Sequence, residues 1–337
     1  MRNKALMSIG GLVVLALAWV VSARLHGQAP GNAEGGAGKY AAPRTAWGDP
    51  DLQGQWNSQT STPLERPSSG ALAGKELITE EEAETFERTE RKSFDEAPSR
   101  GDPGTYNAFW RDEGKALTRT SLITDPPDGR VPPYTPEAEK RLAAERAERR
   151  TRGPADSYTD LTAWTRCISR GWNGIGSWYS SNYQIFQSPG YVVIFQELIH
   201  EPRIIALDGR GHLPQGVGQW LGDSRGHWEG NTLVVKTTNF DPKASYRGSR
   251  ETLRLVERYT PRDAKNLDYQ FTVDDPQTFT RPWTVARPMR RETAGITIFE
   301  YACHEGNYAM AHILAGARSE EKTGTSGVLS QRSGARR

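Results

Sequence analysis

At 337 residues, with 25% charged and 36% hydrophobic residues and a mean hydropathy of −0.70, the chain has enough apolar mass for a core and too much charge for a membrane-embedded protein. Two cysteines exclude a disulfide-stapled mini-domain, and the absence of a Gly-X-Y period excludes a collagen-like fibre. The formal charge of +2 resides in the first residues and says nothing about the rest.

Residues 1–23 read as a secretory signal peptide: Arg2 and Lys4 precede an apolar run over 5–21, and Val21-Ser22-Ala23 offers small residues for cleavage. An uncleaved membrane anchor is the alternative reading of the same run. Cleavage lowers the 43 basic residues to 41, equal to the 41 acidic ones. A neutral mature chain gives no electrostatic reason to expect nucleic acid as a partner, and no later segment is apolar enough for stable membrane insertion. Export places the protein in the periplasm or outside the cell, where Cys167 and Cys303 are expected to pair. That bond would close a loop worth up to about 4.7 kcal/mol in chain entropy, the alternative being two buried thiols.

Residues 24–46, rich in Gly, Ala and Pro, read as a flexible tether, and 323–337, rich in Gly, Ser and Arg, as a disordered tail. The stretch between, 47–322, reads as one domain with an inserted cap segment over 62–180. Residues 52–57 form a first strand. Within the insertion, Thr79-Glu80-Glu81-Glu82 is a capping box, and Thr135-Pro136 opens a second helix, charged and solvated, through Arg150. From Thr159, the spacing of Leu161, Trp164 and Ile168 predicts a third helix that carries Cys167 and ends near Gly171. Strands then follow at 183–187, 191–199, 203–207, 232–239, 252–260, 267–273, 283–289 and 296–301, before a final helix from Tyr308. Short links make neighbours antiparallel, and so many strands in sequence close on themselves to remove open edges. The expected fold is mainly β: an antiparallel up-and-down barrel with a large helical and irregular insertion and a C-terminal helix.

Period-two alternation assigns faces. Tyr191, Val193, Phe195 and Glu197 share one side of their strand. So do Leu253, Leu255, Glu257 and Tyr259; Tyr269, Phe271, Val273 and Asp275; Trp283, Val285, Arg287 and Met289; and Ile296, Ile298 and Glu300. If the apolar faces line one interior, Glu197, Glu257, Asp275, Arg287 and Glu300 project into it. Buried charge is costly unless paired, so these residues mark a solvated or ligand-filled cavity, or else lie hydrated at strand ends.

The densest polar cluster is Cys303-His304-Glu305-Gly306-Asn307. His304 there is a candidate acid or base, while Glu305 suits a helix N-terminus. His200 and Arg225 lie in connections that can reach a cavity mouth, together with Trp110, Trp172, Trp178, Tyr179, Trp220 and Trp228, which either cap the core or stack on a ligand. His200, His227 and His304 are too scattered in sequence to show convergence on a metal, which leaves metal binding open, and no phosphate loop or nucleophile elbow is present; no cofactor is expected.

Gly54-Gln55-Trp56 resembles the Gly-x-Trp opening strand of lipocalin-type (calycin) barrels, from which the long insertion departs. Asp51-Leu52-Gln53-Gly54-Gln55-Trp56, Thr62-Pro63-Leu64-Glu65-Arg66-Pro67, Tyr106-Asn107-Ala108-Phe109-Trp110-Arg111, Asp125-Pro126-Pro127-Asp128-Gly129-Arg130, Gln219-Trp220-Leu221-Gly222-Asp223-Ser224-Arg225 and Tyr301-Ala302-Cys303-His304-Glu305-Gly306-Asn307-Tyr308 together resemble a family of exported bacterial proteins of unassigned function. The resemblance implies export and a shared fold and supplies no reaction.

Three functions follow as expectations. The first is a lipocalin-like barrel binding a small, partly apolar ligand, aromatic or saccharide, under the cap, with Trp56, Tyr183, His200, Arg225, Glu257, Trp283 and Arg287 as ligand contacts. The second is a lyase, isomerase or hydrolase using His304 with Glu300 or Glu197 as acid and base. The third is a structural envelope protein.

Overall fold

The computed structural model describes residues 40–97, 106–112, 114–153, 155–172, 181–292 and 298–324. The chain divides into Met1–Tyr40, of which only Tyr40 is described, and Ala41–Arg337, to which everything below refers. The expected signal peptide, most of the expected tether and most of the expected tail therefore lie outside the described residues. Asp51 N–H donates to the Pro43 carbonyl and Ala42 is buried, so the folded unit includes chain just before Trp47.

Eleven strands are described: β1 (Gly54–Asn57), β2 (Ile123–Asp125), β3 (Asn182–Ser188), β4 (Tyr191–Gln196), β5 (Glu201–Ala206), β6 (Asp223–Glu229), β7 (Thr232–Thr238), β8 (Arg254–Pro261), β9 (Asn266–Asp274), β10 (Trp283–Ala286) and β11 (Met289–Arg291). Nine of them, β1-β3-β4-β5-β6-β7-β8-β9-β11, close into a barrel through β11 pairing with both β9 and β1. Ala286 faces Gln270 and Met289 faces Leu267 in one unbroken register, and the Arg287 N–H reaches the Tyr269 carbonyl. β10 and β11 thus act as one strand interrupted where Pro288 has no N–H to give. β2, from the insertion, adds to the free side of β10.

The barrel departs from the expected up-and-down order at one seam. β5 and β6 run parallel, joined at Ala206 and Arg225, because residues 207–222 carry the chain back along the barrel before β6 begins. β6 forms where the sequence places Arg225 in a connection, and Gly226 in it explains the tight seam: a Cβ there would lie 2.8 Å from the side chains of Ile205 and Leu207. The expected strand at 296–301 is absent over its described part, 298–301.

α1 (Glu80–Ser93) starts at the Thr79 capping box, and α2 (Pro136–Arg150) at Thr135, whose hydroxyl accepts from the Ala138 N–H. Ala138 is the buried residue of α2, as its charged sequence implies. α3 (Tyr308–Thr323) is the C-terminal helix. The helix expected from Thr159 does not form. Tyr158–Asp160 makes one 3-10 turn, and hydrogen-bonded turns run to Cys167, which adopts a left-handed φ of 56° that ends any helix. Cys167 is held instead by its disulfide to Cys303, with Cα atoms 5.7 Å apart, and Asn307 donates to the Thr165 carbonyl alongside.

Two apolar layers fill the barrel. The lower one contains Leu52, Trp56, Ile185, Val192, Ile205, Leu233, Leu267 and Met289. In the upper one, Leu253, Leu255, Phe271, Val273, Trp283 and Val285 from the strands meet Leu122, Ile123 and Trp172 from the insertion, which therefore closes that end.

Candidate functional site

Between the two layers lies a belt of polar side chains. Along β8 the inward positions read Leu255, Glu257, Tyr259, and along β10 and β11 they read Val285, Arg287, Met289. The period that builds the core thus carries a charge across it midway in each strand. Glu257 is fully buried and is met by Arg203 of β5, 4% exposed: Nη1 donates to Oε2 at 2.5 Å and Nη2 to Oε1 at 2.9 Å. The hydroxyls of Tyr259 and Tyr269 also donate to Oε1, each at 2.9 Å. Burial weighs against the Arg203 charge, but the Glu257 carboxylate and the two phenols outweigh it and hold the guanidinium above its ordinary value. Burial, reinforced by the Glu257 charge, pushes both phenols well up, so they remain donors. Arg287, 3% exposed, gives Nε to the Ser58 carbonyl at 2.6 Å, and burial draws its guanidinium down against the influence of Tyr183, Tyr269 and Tyr246.

These groups surround a cavity of about 20 Å³, lined on its polar side by Arg203, Arg287, Gln196, Tyr183, Tyr269 and Ser58 and closed by Trp172. Trp172 Nε1 and Ser58 Oγ, both buried, find no hydrogen-bond partner. The wall is thus rich in donors. Such a wall suits an acceptor or an anion.

Of the residues expected at a site, Glu257 and Arg287 point inward as their alternation requires, and Tyr183 lines the cavity. Trp56 and Trp283 are core instead, 1% and 0% exposed: Trp56 Nε1 donates to the Leu52 carbonyl, and Trp283 packs on Phe279, Phe271 and Tyr246. Arg225 is held by Asp223 and by the Gly211 and Ser224 carbonyls, and it does not line the cavity. Asp275 is buried in the turn after β9, where it accepts the Gln277 N–H.

The face expected for β4 is reversed. Val192, Ile194 and Gln196 point inward, so Tyr191, Val193 and Phe195 lie on the outer face. Glu197 consequently sits in the β4–β5 connection, accepting from Asn182 Nδ2 at 2.8 Å, and burial raises its carboxyl above the usual range. Asn182 in turn accepts from Asn57, the neighbour of the cavity-lining Ser58. Glu201, the first residue of β5, accepts from Ser169 Oγ at 2.7 Å and is likewise raised by burial. His200 is exposed, its ring edge-on to Phe195. His304 and Glu300 are exposed on the chain before α3 and do not line the cavity, so the expected acid and base do not converge with the interior carboxylates. Trp178 and Tyr179 lie outside the described residues. No group of three or more metal-ligating side chains occurs among the described residues.

Sequence reasoning missed Arg203, although it alternates with Ile205 and Leu207 and that signal was legible. It also missed Gln196, because both faces of β4 carry apolar residues. No family model, no curated protein and no solved structure matches the chain. The likeness to exported bacterial proteins therefore rests on the quoted motifs, and the barrel is compatible with a calycin-type resemblance.

Proposed function

We propose that the protein is an exported binding barrel whose polar belt holds a small anionic group, such as a carboxylate. One observation carries the reading: the cavity wall holds two buried donors without partners, Trp172 Nε1 and Ser58 Oγ, beside the guanidiniums of Arg203 and Arg287. Unpaired buried donors each cost about 1–3 kcal/mol, a cost that a bound acceptor removes. At about 20 Å³ the cavity has no room for a ring, so an aromatic or saccharide body belongs outside the belt. Export is supported by the disulfide, and no helix among the described residues is long and apolar enough to cross a membrane.

The test is a titration with sodium formate, acetate and nitrate, followed by the indole N–H resonance of Trp172, assigned with Trp172→Phe. A saturable shift that is lost in Arg287→Gln is expected. Absence of saturation with all three anions, or an unchanged shift in the variant, overturns the reading. Native mass spectrometry of the purified protein then identifies any retained ligand.

A further inference from the structure

A second feature, independent of the belt, forms where residues 207–222 lead into β6. His212 Nδ1 lies 3.0 Å from Asp223 Oδ2, which also accepts the Leu213 N–H at 2.9 Å. Asp223 is 4% exposed, and its other oxygen takes Arg225 Nη1 at 2.6 Å. Arg225 is fixed in turn by Nε to the Gly211 carbonyl at 3.1 Å and Nη1 to the Ser224 carbonyl at 2.9 Å. A carboxylate held in this way only accepts, so it selects the imidazole tautomer with the proton on Nδ1 and leaves Nε2 with its lone pair.

His212 lines an open cleft of about 800 Å³, within the range of small-molecule sites. Its neighbours in the wall are neutral polar side chains, Gln215, Thr238, Thr252 and Gln277, over an apolar floor of Phe240 and Leu253. The other charged members of the wall, Glu251 and Arg254, are opposite in sign, and Arg254 also faces Asp274 at 3.5 Å, so the cleft has no single-sign field to select an ion. Ser224, beside Asp223 in sequence, is turned inward to Thr237 Oγ1 at 2.9 Å and is 2% exposed, which leaves water rather than this serine as the nucleophile.

We infer that this cleft is an acid–base site that hydrolyses a neutral carboxylic ester. His212 Nε2 takes a proton from water as the water oxygen bonds to the acyl carbon, and the carbonyl electron pair moves onto its oxygen. When that pair returns, the bond from the acyl carbon to the alcohol oxygen breaks, and the proton on Nε2 passes to the leaving oxygen. The products are a carboxylic acid and an alcohol, the imidazole is regenerated, and no further reactant is consumed. Asp223 acts as a positioning residue that fixes the tautomer, and Arg225 fixes Asp223.

The experiment measures release of p-nitrophenolate from p-nitrophenyl acetate and butyrate by the purified protein across pH. Saturable turnover is expected. His212→Gln lowers kcat about 100-fold, while His227→Gln, at an exposed histidine paired with Glu229, leaves it unchanged. Asp223→Asn lowers kcat with little change in KM, as a lost tautomer preference requires. Absence of saturable turnover in the wild type, or turnover in His212→Gln equal to wild type, overturns the inference. If a variant folds poorly, long-range nitrogen NMR of the wild type decides: an unprotonated Nε2 on His212 supports the site, and a protonated Nε2 with a bare Nδ1 overturns it.

Discussion

Replacing Glu257 by Gln tests the polar belt directly. The carboxylate accepts four hydrogen bonds, two from Arg203 and one each from Tyr259 and Tyr269, and Glu257 and Arg203 are both shut off from water. The amide keeps the size of the side chain but turns one acceptor into a donor, and the Arg203 guanidinium loses its counter-charge. Breaking a buried pair from one side costs about 3–5 kcal/mol, chiefly because the surviving charge stays buried. At about 2 °C per kcal/mol for a chain of this length, the melting temperature should fall by roughly 6–10 °C. Urea unfolding should show a lower midpoint with an unchanged slope, as expected when the native state is weakened without changing the surface exposed on unfolding. The double variant Glu257→Leu with Arg203→Met should recover most of the loss, less the cost of leaving the Tyr259 and Tyr269 hydroxyls without their acceptor. A loss below about 1 kcal/mol in Glu257→Gln, or a double variant no better than the single one, would refute the view that uncompensated charge sets the penalty.

Three further outcomes follow from the same geometry. Converting both Cys167 and Cys303 to Ser should cost about 2–5 kcal/mol in urea unfolding, since the bond spans 136 residues, and an equal midpoint with and without reductant in the wild type would contradict this. Gly222→Ala should destabilise by about 1–3 kcal/mol, because φ is +69° and the new Cβ would lie 2.6 Å from Thr237 Cγ2 and 2.8 Å from the Thr238 carbonyl. Gly230→Ala, with a similar φ but open space, should cost less, and equal losses would remove the steric part of the argument. Burial raises the Glu197 and Glu201 carboxyls in the folded state, so the native protein keeps protons that the unfolded chain releases. Their contribution to stability is complete below the ordinary glutamate value and is lost as pH rises through the raised native values. Melting temperature followed upward from about pH 4 should therefore decline less steeply in Glu197→Gln with Glu201→Gln than in the wild type, and a steeper decline would contradict the sign.

The barrel was legible wherever the two faces of a strand differ sharply. Leu255, Glu257 and Tyr259 alternate with Val256 and Arg258, and Val285, Arg287 and Met289 alternate with Thr284 and Pro288, so the pattern fixed which charges turn inward. The Thr79 capping box and the Thr135-Pro136 start were equally local, since each satisfies its own helix end within four residues. In β4 there was no such contrast, because Tyr191, Val193 and Phe195 oppose Val192 and Ile194. The buried neighbours Ile185 and Arg203, paired across from Ile194, decided its orientation.

What the sequence alone determined was a mainly β chain with charged residues carried into its interior, together with the two cysteines available to pair. Only the tertiary structure decided what those charges meet. Glu257 finds Arg203 from a strand 54 residues away, and Asp223 finds His212 across a returning connection, because closing the barrel brings together side chains whose relation no local period records. His304 and Glu300 stay in solvent, since the described residues that carry them form no strand of the barrel.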